Sequence, residues 1–268
     1  MGKHASMGFD LCNTTDCQVY YGVSSATLVS DSAVDSVKNL YVLYDGEIAN
    51  TYYHSSSGGW TEDSENIWGK YIPYLRAVED VYLENIRRYS FDVTLDDISE
   101  VLQNKGYVDQ NVTDYYVSRR SAAGNVIEVS FTLEDGSTLS FTGERSRTAI
   151  NSTAKGISVL SHRYTIYTVM GLFINHMLET KKTTELYAID KNGQAIPISS
   201  NYGDIACITA DGVTRLSPAS LTYNVTGTGS GHNVGMSQWG AYAMGKLGFT
   251  YDQIIMFYFT GVEIAEIG

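Results

Sequence analysis

Apolar and polar positions recur at two different periods along this chain, and the changes of period mark its elements. Helical spacing appears in "SDSAVDSVKNL" (30–40), where Ala33, Val34, Val37 and Leu40 recur at three- and four-residue intervals. It appears again in "TLDDISEVLQNKG" (94–106), with Gly106 as a C′ stop. Two-residue alternation marks strands. "YVLYDGEIANTYYHSS" (41–56) reads as two strands around Asp45-Gly46, and residues 125–142 as a second hairpin turning at Asp135-Gly136. "CQVYYGV" (17–23) also reads as a strand, residues 55–75 as a loop, 76–123 as mixed, and 143–150 as a short helix.

Within residues 184–220 the pattern repeats. "YAIDKNGQAIPI" (187–198) and "ACITADGVTRLS" (206–217) are both strand, Asn/Asp-Gly turn, strand. Two copies are too few for a solenoid, so stacked hairpins are expected. The chain ends in two predicted helices. One covers 235–246 and stops at Gly248. The other opens on Thr250 with Gln253 in a capping-box position and runs to Thr260-Gly261. The expected class is α+β: antiparallel hairpins with a few peripheral helices, in a single large domain over 1–268.

Composition narrows the function more than the fold. With 268 residues, 43% of them hydrophobic, and three prolines, the chain is expected to be globular with a sizeable core. A formal net charge of −12 excludes a nucleic-acid backbone as partner and suits an anionic membrane poorly. No apolar run approaches the roughly 18 residues of a spanning helix, and "MGKHASMGFD" has no apolar core of a signal peptide. Tyrosine is abundant, at 21 copies, and such side chains can be half buried while presenting a ring or hydroxyl to a ligand.

Three clusters carry candidate chemistry. In "HASMGFDLCNTTDC", His4, Cys12, Asp16 and Cys17 lie within 14 residues, a donor set able to hold one tetrahedral zinc ion. Two reduced thiols in a loop, or a disulfide between them, are the alternatives. Cys207, in the alternating "DIACITA", reads as a small buried hydrophobe. In "HSSSGGWTEDSENIWG" (54–69), His54, Ser55, Ser56, Ser57, Gly58 and Gly59 precede Trp60, Glu62, Asp63, Glu65 and Trp68. Aromatic faces beside hydroxyls and carboxylates suit a sugar. A nucleophilic Ser55 or Ser57 served by His54 is disfavoured by strand alternation, and a solvated Ser/Gly loop is the plain alternative. In "GTGSGHNVGMSQWGAYAMGKLG" (227–248), four glycines surround His232, and Ser237 and Gln238 open the helix. Gly227, Gly229, Gly231 and Gly235 permit close backbone approach. A lone His232 is more often structural, and Trp239 is expected to anchor the helix in the core.

These segments, with "PYLRAVE" (73–79) and "SFTGERSRTAI" (140–150), resemble the stage II sporulation protein D/LytB (SpoIID/LytB) family, in the right order over nearly the whole chain. The resemblance implies a peptidoglycan protein. Sporulation members are lytic transglycosylases on glycan strands stripped of stem peptides, acting during engulfment and giving 1,6-anhydro ends; LytB-type members are non-hydrolytic amidase enhancers. It implies a wall-side location, glycan strands as ligand, and other engulfment or wall proteins as partners. The family's catalytic glutamate lies upstream, in a segment like A-A-E-M-P, and this sequence begins just after the helix that follows it. The catalytic acid is therefore unassigned, with Glu62 and Glu65 as substitutes and a non-catalytic glycan-binding or amidase-enhancer module as the alternative. The family's zinc site resembles two cysteines and two histidines; His4, Cys12 and Cys17 match three ligands, with Asp16 where a histidine is usual. The resemblance implies a cleft bordered by His54, Ser55, Ser56, Ser57, Gly58, Gly59, Glu62, His232, Ser237 and Gln238. Asn233 replaces a usual glycine there, and asparagine is well suited to a positive φ.

Overall fold

The computed structural model describes residues 4–82, 86–174, 177–182, 187–189, 195–197, 205–209, 212–216 and 222–266. The fold is α+β, and the chain divides into two compact units, Met1–Leu43 with Ile264–Gly268, and Tyr44–Glu263. Among the described residues no helix is long and apolar enough to cross a membrane.

In the first unit, α1 spans Leu28–Ser36, two residues earlier than the apolar spacing suggests. Its start is fixed by a capping box: Ser30 N–H donates to Thr27 Oγ1 at 3.1 Å and Thr27 N–H to Ser30 Oγ at 2.8 Å. The helix buries none of its residues, with Leu28 89% exposed, so the expected stripe is not a core face. The expected strand at 17–23 does not form. Val23–Ser25 is a 3-10 turn, Tyr21 is 82% exposed, and among the described residues no strand pairs with this segment. Its alternation is the pattern of a half-buried strand without a sheet to join. β1 (Leu40–Tyr44) follows, and Asp45 and Gly46, both at positive φ, turn the chain as the Asp-Gly pair requires.

The second unit contains, in chain order, β2 (Glu47–Ile48), β3 (Tyr53–His54), α2 (Ser64–Trp68), β4 (Arg88–Thr94), α3 (Leu95–Asn104), β5 (Val112–Arg120), β6 (Val126–Leu133), β7 (Thr138–Thr142) and α4 (Glu144–Thr148). Then come β8 (Tyr164–Ile174), β9 (Met177–Lys182), β10 (Tyr187–Ile189), β11 (Ala195–Pro197), β12 (Ile205–Thr209), β13 (Gly212–Leu216), β14 (Thr222–Thr228), β15 (Met236–Ser237), α5 (Gln238–Lys246) and α6 (Tyr251–Tyr258). β16 (Glu263–Glu266) closes the chain, beside β1.

The core forms where α3 meets the β5–β6–β7 sheet. Leu95, Ile98, Val101 and Leu102 face inward against Val126, Val129, Phe131 and Phe141. Thr94 Oγ1 accepts the Asp97 N–H at 3.1 Å, and Gly106 takes the C′ position at φ +70°. The hairpin turning at Asp135-Gly136 forms as the alternation predicts, in the register Glu128↔Thr142 to Thr132↔Thr138. β5 was hidden in the mixed segment because only two of its nine positions are buried.

A second sheet, β4-β14-β8-β9, ties residues 88–94 to 222–228 and so brings the C-terminal third back onto the middle of the chain. The repeated segments pair as two antiparallel hairpins, β10 with β11 and β12 with β13. Their turns, their stacking and the side chain of Cys207 lie outside the described residues. Near the C-terminus, Met236 and Ser237 are strand, so α5 begins at Gln238 rather than at 235. The Thr250–Gln253 capping box opens α6 as expected.

Candidate functional site

The parallel pair β3–β15 (Met236↔Tyr53, Ser237↔His54) joins two motifs about 180 residues apart. The junction continues through Ser56, whose backbone exchanges hydrogen bonds with Ser230, and Glu62, whose N–H donates to Asn233 O at 2.8 Å. Glycine is required where the two segments touch. A Cβ on Gly229, at φ +92°, falls 2.7 Å from Ser56 O, and one on Gly231, at φ +114°, falls 2.7 Å from His54 Cβ.

Asn233 sits at φ +64°, fully buried, and its side chain does more than tolerate that conformation. Its Nδ2 donates to Ser57 O at 2.7 Å and Trp60 O at 3.2 Å, while Oδ1 accepts from His162 N–H at 3.3 Å. A glycine in its place would leave these three backbone groups without those partners.

Many of the candidate residues brace this junction from inside. Ser57 Oγ donates to Asp80 Oδ2 at 2.6 Å, and Tyr258 Oη donates to Asp80 Oδ1 at 2.9 Å. Ser237 caps α5, its Oγ accepting from Gly240 N–H at 3.2 Å and Ser57 N–H at 3.3 Å. His54, Ser56, Ser57, Gly58, Glu62 and Ser237 are buried; Ser55, Gly59 and His232 are half-buried, and Gln238 is exposed. A ligand approaching the junction therefore meets Ser55, Gly59, His232 and Gln238 first.

Neither His54 nor His232 activates a serine of the 54–57 run. His54 Nδ1 donates to Val234 O at 3.2 Å, and Ser57 is committed to Asp80. His54 Nε2 and Ser56 Oγ are buried without a hydrogen-bond partner. His232 accepts the Val234 N–H on Nδ1 and donates from Nε2 to Tyr53 O at 3.0 Å, which fixes its tautomer. The two imidazoles lie 5.5 Å apart, and Trp68 continues the row 5.2 Å beyond His232.

Burial, aided by the neighbouring imidazole of His232, pushes His54 down to about 3; burial pushes His232 down to about 4. Both bases have folded-state values below the unfolded value of 6.5. The unfolded chain thus takes up protons that the native state refuses. Their contribution to stability is complete above pH 6.5 and is lost as pH falls through 6.5 toward 4 and then 3. Thermal melts are expected to show a stability loss of a few kcal/mol between about pH 7 and pH 4.5. A flatter profile is expected for a folded His54→Asn variant; an unchanged one would refute the assignment.

The two substitute acids occupy unlike environments. Glu62 is 1% exposed, and both oxygens are filled by donors. Oε1 accepts from Asp63 N–H at 2.9 Å and Asn66 Nδ2 at 2.8 Å, and Oε2 from Ser121 Oγ at 2.5 Å and Asn125 Nδ2 at 2.9 Å. Such a carboxylate is an internal tie with no free edge for a glycosidic oxygen. Glu65 is paired with Arg76, Nη2 to Oε2 at 2.6 Å, and hydrogen bonding from that guanidinium holds its carboxyl below the usual range. A general acid needs the opposite shift.

In the first unit, His4, Cys12, Asp16 and Cys17 offer donor atoms that all lie within 4.8 Å of one another. His4 Nε2 is 3.2 Å from both Cys17 Sγ and Asp16 Oδ2. Zn–S and Zn–N bonds of about 2.3 and 2.0 Å put tetrahedral ligand atoms about 3.3–3.8 Å apart, so the spacing and the donor set fit zinc. Hydrogen bonding with Thr14 holds the Cys12 thiol down to about 6, which favours the ligating thiolate at neutral pH.

Sequence reading missed Asp80, Ser121 and Asn125, which complete the polar framework of the junction. The quoted motif "PYLRAVE" stops one residue short of Asp80, Ser121 lies in the mixed segment without a periodic signal, and Asn125 is the first residue of the predicted 125–142 hairpin, where alternation marks a strand and not a site. Trp239, expected in the core, is 48% exposed.

No protein-family model matches the chain. It is similar to an uncharacterised protein of Brachyspira hyodysenteriae (strain ATCC 49526 / WA1), at 26% identity over 96% of this chain and 54% of that one. It is similar to an amidase enhancer of Bacillus subtilis (strain 168), at 24% identity over 97% of this chain and 36% of that protein. Stage II sporulation protein D of the same bacterium matches at 23% identity over 87% of this chain and 50% of that protein. The chain spans about half the length, or less, of the curated relatives it matches.

Proposed function

The chain belongs to a SpoIID-like family, and from that premise we propose that it serves a sporulation or cell-wall role by binding peptidoglycan glycan strands. The observation that carries the reading is the junction of residues 54–62 with 229–238, which leaves Ser55, Gly59, His232 and Gln238 at the surface of a rigid, glycine-tight frame. The Ser55 hydroxyl and the Gln238 amide on such a frame suit the hydroxyls and acetamido groups of a sugar polymer, while His232, with both ring nitrogens held by backbone, offers its ring as a packing surface. The location that fits this ligand is the wall side of a bacterial membrane, and other engulfment or wall proteins are the partners the role implies.

In the family reaction one acid protonates the glycosidic oxygen as its bond to the anomeric carbon breaks, and the resulting carboxylate then takes the proton of the sugar's own 6-hydroxyl as that oxygen bonds the anomeric carbon to give the 1,6-anhydro end. Neither Glu62, tied on both oxygens, nor Glu65, paired with Arg76, is suited to deliver that proton. The reading favoured for these 268 residues is therefore binding without turnover, in the manner of a glycan-binding or amidase-enhancer module. The test is incubation with glycan strands stripped of stem peptides, followed by pull-down and mass spectrometry of the products. Retained, intact strands are expected. Anhydro-ended fragments would restore an acid within this chain, and no retention would remove the glycan reading.

We also propose that His4, Cys12, Asp16 and Cys17 hold one structural zinc ion. When bound, the metal cross-links a stretch that otherwise has short turns and few buried side chains. Elemental analysis of protein prepared with zinc is expected to find about one equivalent per chain, and Cys17→Ser to lose it. Equal zinc content in the variant would overturn the site.

A further inference from the structure

α5 is held in one rotational setting, and that setting turns two aromatic rings outward. Its inner face is Gly240, Ala243 and Met244, all buried. Gly240 lies so close to Asp80 and the Tyr258 hydroxyl that a Cβ there has no room. Its N–H is fixed by the Ser237 cap, and the Trp239 N–H donates to Ser55 O at 3.1 Å. With the inner face fixed, Trp239, Tyr242 and Lys246 fall at helical spacing on the outer one. Trp239 is 48% and Tyr242 60% exposed. Their rings meet edge to face, with centroids 5.7 Å apart and planes at 84°, and the Lys246 ammonium stands 5.8 Å from the Tyr242 ring.

Charge sets this segment apart. The chain carries 30 acidic residues, yet none occurs between Asp211 and Asp252, a stretch that includes the glycine-rich turn, β15 and α5. In a protein of net charge −12 this is sequence free of acids to repel an anionic polymer, and α5 ends in a cation. A glycan strand stripped of its peptides is such a polymer, with a carboxylate on each muramic unit and apolar sugar faces that stack on aromatic rings.

We propose that Trp239 and Tyr242 form a sugar-stacking platform that extends the binding surface from Ser55 along the outer face of α5, with muramic-acid-containing glycan as its ligand. The proposal rests on the glycan reading above and adds to it a binding surface outside residues 54–62. The platform is pre-organised, since neither the helix nor the ring pair has to reorient, and an anchor of this kind lowers the ordering cost of binding.

The chain has three tryptophans, so its indole N–H resonances are few and Trp239→Phe identifies the one from Trp239. Titration with peptide-free glycan strands is expected to shift that resonance. The double variant Trp239→Ala, Tyr242→Ala is expected to bind the strands about tenfold more weakly, as for loss of an aromatic anchor. Its melting temperature should be unchanged, because both rings lie outside the core. Strands that bind the wild type and the variant equally, with the Trp239 resonance unmoved, would overturn the platform and leave the glycan reading standing. Failure of the wild type to bind would overturn both. A self-association lost in the variant, with glycan binding intact, would assign the face to a protein contact instead.

Discussion

Replacing Gly235 with alanine is expected to destabilise the protein by about 3–4 kcal/mol, enough to lower its melting temperature by roughly 10 °C in a domain of this size. Gly235 sits at φ +72°, and a Cβ built there falls on the Tyr52 carbonyl oxygen, with Phe259 3.2 Å away on the other side. The left-handed backbone alone costs a β-carbon about 1 kcal/mol. The collision is worse, because the obstacle is backbone. Tyr52 O already accepts the Met236 N–H at 3.0 Å, so it cannot retreat without breaking the start of the β3–β15 pair. Thermal or denaturant unfolding checks this, and a loss below about 1 kcal/mol would mean that the two segments can slide apart, contrary to the rigid junction described. Gly248, also at positive φ but with open space around it, is the control, and an alanine there should cost only the backbone term.

Glu62→Gln should cost about 3 kcal/mol, although it changes one atom. The carboxylate receives four donors, from Asp63, Asn66, Ser121 and Asn125, and offers none. A glutamine amide has to point its NH₂ at one pair of them, so a buried donor faces a donor. Ser121 can rotate its hydroxyl away, whereas the Asp63 N–H and the amide NH₂ groups cannot become acceptors. Glu65→Gln should cost less, about 1–2 kcal/mol, since its two-pronged pair with Arg76 is only half-buried and the amide keeps one acceptor for the guanidinium. The pair of variants separates tie from acid. A Glu62→Gln protein of wild-type stability that lost a glycan-cleaving activity would identify Glu62 as a proton donor and refute its structural role.

What was legible in the sequence follows from the range over which each force acts. Local signals were read well. The Asp45-Gly46 and Asp135-Gly136 turns, the helix from Leu95 with Gly106 after it, and the Thr250–Gln253 box all depend on residues within a few positions of one another. The errors arose where a partner decides. "CQVYYGV" alternates like a strand but meets no sheet, and Met236-Ser237 belongs to a helical pattern but is drawn into pairing with Tyr53-His54. The candidate motifs at 54–62 and 227–238 were visible because glycine, serine and histidine are conspicuous in sequence. Their inward or outward direction was not, because Ser55 and Ser57 look alike until Asp80 claims one of them. Trp239 was misread for a similar reason: a large apolar residue at helical spacing is ordinarily core, and only the close approach of Gly240 to Asp80 and Tyr258 turns it outward.

The junction between residues some 180 positions apart also has a bearing on how the protein is made. At roughly 5–20 residues per second, a ribosome that has just released His54 needs on the order of ten to forty seconds to reach Ser237. For most of that interval Ser57, Glu62 and Asp80 are outside the tunnel without the segment that completes their enclosure, so the earlier half of the junction waits as an unfinished, polar-lined seam. Synthesis that stops short of the last helices yields a chain whose first-made residues are all present and whose binding surface has never existed. Folding of this region is thereby tied to the synthesis of residues 229–238.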